Sequence, residues 1–106
     1  MPLTWFQCTI QSDGIRKGEL FQFKALCVKA FQAGGFPKDA AVFSEAVFGD
    51  EQLKFWVSPM AAGLLEQAGV DLGQWQGRES APPKRSEVAL LAGHHQLAWE
   101  LLEGKV

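Results

Sequence analysis

Over residues 3–11 the chain alternates, with Phe6, Cys8 and Ile10 on one side and Trp5, Gln7, Thr9 and Gln11 on the other. A period of two marks a strand with unlike faces, here one apolar and one mixed. The same period returns over residues 53–58, where Leu53, Phe55 and Val57 alternate with Lys54, Trp56 and Ser58. Ahead of it, residues 41–48 mix Val, Phe and Ala with single polar residues, and Gly49-Asp50-Glu51-Gln52 suits a short loop. Residues 41–58 are therefore expected to form a β-hairpin.

Two longer segments carry helical spacing instead. In residues 16–33, Leu20, Phe23, Cys27, Ala30 and Phe31 recur at three and four, and Gly34-Gly35 supplies a stop. A competing alternation of Phe21, Phe23, Ala25 and Cys27 fails at Leu26 and Val28, so the segment reads as a helix. Its polar positions are few, so other elements are expected to cover much of its surface. Ser58-Pro59 opens a second helix, because Ser caps free amide groups and Pro loses nothing at the first helical position. Ala61, Leu64, Leu65 and Ala68 give that helix one apolar face, ending at Gly69.

Residues 70–85 are broken by Gly73, Gly77, Pro82 and Pro83 and read as a surface excursion pinned to the body by Trp75. Residues 87–91 form a short apolar run suited to a last strand. After Gly93, the run from His94 reads as a terminal helix with Leu97, Ala98, Leu101 and Leu102 inward. The order strand, helix, strand, strand, helix, strand, helix predicts an α+β fold of the ferredoxin-like, split βαβ type (β-α-β-β-α-β). It carries an added C-terminal helix, and its sheet is antiparallel or mixed.

Composition narrows the function classes. A chain of 106 residues with 47% hydrophobic and 21% charged residues is one globular domain with a real core. A formal charge of −2 gives no electrostatic basis for binding phosphate backbones or anionic lipid, so neither nucleic acid nor membrane is an expected partner. No apolar run reaches membrane-spanning length, and the N-terminal residues lack the pattern of a signal peptide, so a cytoplasmic location is expected. Cys8 and Cys27 lack CxxC spacing and read as buried free thiols. Phosphate-loop, HExxH, GxSxG and EF-hand motifs are missing, and neither a cofactor nor a metal is called for.

The candidate chemistry is correspondingly sparse. If the helices cover the Phe6/Cys8/Ile10 side of the sheet, Trp5, Lys54 and Trp56 fall on the other face. That face then either carries the terminal helix with Trp99 or binds another chain. Residues 52–57 lack the Lys/Arg-Gly-aromatic pattern of an RNA-recognition strand. His94 and His95 point about 100° apart on a helix and do not readily chelate one ion. Either imidazole is the leading general-base candidate, oriented by a carboxylate, and Glu45 stands out because it interrupts an apolar strand. The expectation is a small, non-catalytic association module, a homodimer or one bound to a protein partner. It would act through Trp5, Trp56, Lys54, Trp75 and Trp99 or the 70–85 loop. The alternative is an enzyme or small-molecule-binding domain with a pocket near Trp56, Trp99 and His94 or His95.

Overall fold

The computed structural model describes residues 4–46 and 52–103, without the Arg16 side chain. Strand β1 (Trp5–Gln11) runs into a single helical turn, α1 (Ser12–Arg16). Gly18, at φ +84°, separates that turn from helix α2 (Glu19–Ala33). A residue with a side chain adopts this backbone only at a cost, so glycine sets the break. The stop after α2 follows the expected chemistry: Gly35 takes φ +79° and the Phe36 N–H donates to the Phe31 carbonyl at 2.8 Å.

The hairpin strands are β2 (Ala41–Glu45) and β3 (Gln52–Val57), and the turn expected between them lies outside the described residues. Ser58 then caps α3 (Pro59–Gln67), as its sequence predicts, accepting the Ala61 N–H. The 70–85 excursion is more structured than expected. It contains a 3₁₀ turn (Leu72–Trp75) and a short strand β4 (Arg78–Ser80). Trp75 does pin it: its ring meets Phe23 edge to face at 4.9 Å. Strand β5 (Val88–Gly93) and helix α4 (His95–Leu102) complete the described chain.

The five strands form one antiparallel sheet in the order β4-β1-β3-β2-β5. The run expected as the last strand thus becomes β5, on the edge beside β2. The place next to β1 falls to β4, which the sequence offered as loop. On one face, α2 and α3 cover Cys8, Ile10, Val42, Phe55 and Val57. On the other, Ala98 and Trp99 of α4 pack with Trp5, Phe43 and Val88. None of the described helices is long and apolar enough to cross a membrane.

Candidate functional site

The aromatic sheet face, offered by the sequence as a possible binding surface, is occupied by the chain itself. Trp5 is buried and Trp56 half-buried, and the Phe43 ring sits 6.1 Å from Trp5 and 5.1 Å from Trp99. Arg85 closes this layer, its guanidinium 5.4 Å above the Trp99 ring and paired with Glu103. Three of the four tryptophans, Trp5, Trp56 and Trp99, therefore share one small core, and α4 supplies the lid.

His94 and Glu45 find structural partners. His94 is the N-cap of α4, its Nδ1 accepting the Leu97 N–H at 3.4 Å, while His95 is exposed in the first turn. Glu45 lies at the end of β2, its Oε2 accepting the Lys54 N–H at 3.0 Å. It lines a cleft of about 320 Å³ with Trp56 and Glu87, whereas His94 lines a separate cleft of about 210 Å³ with Val28, Phe36 and Gly93. Of the residues joined in one pocket by the sequence-based alternative, Trp56 lines the first of these clefts and His94 the second, while Trp99 and His95 line neither. The smaller cleft falls below the roughly 300 Å³ at which small-molecule pockets usually begin. A third, open groove of about 600 Å³ runs past Phe6, Glu66, Asp71 and Gly77.

Cys8 and Cys27 are free and fully buried, and burial pushes each thiol up to about 12 from 9.0, Cys8 adding to the effect on Cys27. A thiol held protonated is a poor nucleophile and a poor metal ligand. Among the described residues, no group of three or more His, Cys, Asp or Glu is placed to hold a metal ion.

The surface the sequence misplaced is on α2. Phe21 is 78% exposed, Val28 43% and Phe36 62%. Phe21, Ala25 and Val28 fall at i, i+4 and i+7, one stripe of the helix. This stripe does not receive the cover expected for a helix with so few polar positions. The core takes Phe23, Cys27, Ala30 and Phe31, and Phe21 and Val28 lie outside that arc. Val28 and Phe36 share a cleft with Gly93 and His94, so this end of the stripe adjoins β5. There the sheet ends, since among the described residues β5 pairs only with β2.

Against protein-family models, curated proteins and solved structures, the chain finds no match.

Proposed function

We propose that this chain is a small, non-catalytic association module that binds protein through the side formed by the α2 stripe and the β5 edge. One observation carries the reading: exposed Phe36 and half-exposed Val28 share a cleft with Gly93 of β5, whose outer edge has no partner among the described residues, and exposed Phe21 lies one to two turns back along the same helix face as Val28. Large apolar side chains gathered on one side of a small domain mark interaction surfaces more often than chance exposure does. The small-molecule alternative ranks second, because Trp56 and His94 line separate clefts and Trp99 lines neither.

The segment from β1 to β4, without α1, reads as a ferredoxin-like β-α-β-β-α-β unit, extended by β5 and α4. The neighbour order β4-β1-β3-β2 and the position of α2 and α3 on one face support it. A cytoplasmic location fits the two free thiols.

The test is a photo-crosslinking phenylalanine analogue placed at position 21 and, as control, at position 79 in β4, in cells producing the chain. Protein adducts from position 21 alone are expected. No adduct from position 21, or equal labelling from position 79, rejects the association reading.

A further inference from the structure

We infer that the occupant of this side is a second copy of the chain, docked by antiparallel pairing of β5 with β5 about a two-fold axis through Ala89. The inference rests on the association reading and names its partner. The two sheet edges differ in a way that points to β5. The β4 edge is three residues long and carries Arg78 and Glu79, the usual protection of an edge against pairing. The β5 edge has six residues and no charge. Its register shifts between the partners of Val42 and Phe43, which leaves Val88 to Leu90 as the regular part.

The hydrogen-bond phase then fixes the register. The Ala46 N–H donates to the Glu87 carbonyl, so Glu87 and Ala89 face β2, and Val88 and Leu90 turn their backbone groups outward. Two identical strands related by a two-fold axis pair outward residues only with outward residues. Centring on Ala89 gives Val88 opposite Leu90 of the partner subunit, and Leu90 opposite the partner's Val88. Both cross-strand pairs are apolar. Ala89 meets the partner's Ala89 at the axis, the smallest pair that leaves room for the helices above. Glu87 lies opposite the partner's Leu91, so no like charges are set against each other.

Antiparallel pairing also brings the two α2 helices together on the same face. Val28 and Phe36, which adjoin Gly93, then lie next to the seam, with Phe21 further back on the same helix face. Taking on the order of 200 Å² for a phenylalanine, Phe21, Phe36 and Val28 together expose on the order of 300 Å². That is about half of the roughly 600 Å² per partner at which stable interfaces begin, and the six residues of β5 stand beside it to supply the rest.

The test uses the whole chain in sedimentation velocity over a wide concentration range. A concentration-dependent dimer is expected, weakened about tenfold or more by Phe21→Ser and by Ala89→Lys, both at exposed positions that leave the fold intact by circular dichroism. Under mild oxidation, Ala89→Cys is expected to form a disulfide-linked dimer far faster than Glu79→Cys on the other edge. Facing residues of a non-hydrogen-bonded pair lie about 4.5 Å apart at Cα, within disulfide reach. A chain that stays monomeric at every concentration, or that crosslinks as fast through position 79 as through 89, overturns the inference. A monomeric chain whose position 21 still captures a different protein overturns the second copy alone and leaves the association reading standing. A monomer with no adduct at all removes both.

Discussion

Replacing Ser58 with Ala tests how the hairpin, the 37–41 segment and α3 are joined. Ser58 is fully buried, and its hydroxyl has three partners: Oγ accepts the Ala41 N–H at 3.0 Å and the Ala61 N–H at 3.2 Å, and donates to the Asp39 carbonyl at 2.8 Å. Losing the cap on α3 costs about 1 kcal/mol. The Ala41 N–H, in a residue with no exposed surface, is left without water or partner, which costs a further 1–3 kcal/mol or so. The expected loss is therefore about 2–4 kcal/mol, a large share of the roughly 5–15 kcal/mol that holds a domain of this size folded. Asp71→Ala is the comparison, since Asp71 also accepts an amide, from Gly73 at 2.9 Å, but in an exposed position where water replaces it. That variant should lose about 0.5 kcal/mol. Urea unfolding followed by tryptophan fluorescence and by circular dichroism measures both, and hydrogen exchange at the Ala41 amide shows whether the orphaned group is the cause. A Ser58→Ala loss below about 1 kcal/mol, or no greater than that of Asp71→Ala, would refute the reasoning.

Three further outcomes follow from the same structure. Gly93→Ala should cost about 2 kcal/mol or more in urea unfolding, because Gly93 sits at φ +131° and an added Cβ would lie 2.8 Å from the Ala40 carbonyl oxygen; an unchanged midpoint would contradict this. Trp99→Ala should cost about 2–3 kcal/mol, less than a fully buried tryptophan, and should open the chain around His94 to limited proteolysis as α4 loses its ring contacts with Phe43 and Arg85; a wild-type digestion pattern would argue against it. The raised thiols predict a pH dependence of definite sign. Below about pH 9 both states keep the protons and stability is flat, whereas between about 9 and 12 the unfolded chain releases them and the folded one does not, so stability falls as pH rises. The fall is at most about 1.4 kcal/mol per thiol for each pH unit, and Cys8→Ala/Cys27→Ala should remove it; an identical slope in that variant would show that the thiols are not its source.

What the sequence showed and what it hid divide along a physical line. The alternation of β1 and β3, the Ser58-Pro59 start of α3 and the Gly35 stop of α2 are local, each set by residues within a few positions of one another, and each was legible. Strand β4 was not, because Arg78-Glu79-Ser80 has no apolar period. It becomes a strand only by lying against Trp5, Phe6 and Gln7 of β1, more than 70 positions earlier. The same holds for β5: its apolar run announced a strand but could not say which edge it joins. The exposed stripe on α2 had a visible signal, since Phe21 and Val28 fall outside the arc of Phe23, Cys27 and Phe31. Expecting other elements to cover them hid its meaning.

Where β5 goes decides what the rest of the molecule can do. With β5 beside β2, the chain leaves the strand at Gly93, opposite Ala41, and α4 packs across the aromatic face over Trp5 and Phe43. The aromatic face thereby packs against α4, with Trp5 buried and Trp56 and Trp99 half-buried. The same placement moves the sheet's unprotected edge to the side where Val28 of α2 and Phe36 line a cleft with Gly93. A strand added there gains backbone hydrogen bonds from Val88 and Leu90, and a helix above it gains apolar contact from the stripe. Neither gain is open at the β4 edge, where the strand is short and charged. One topological step, the return of the chain to β2 instead of β1, thus closes one aromatic surface and opens another.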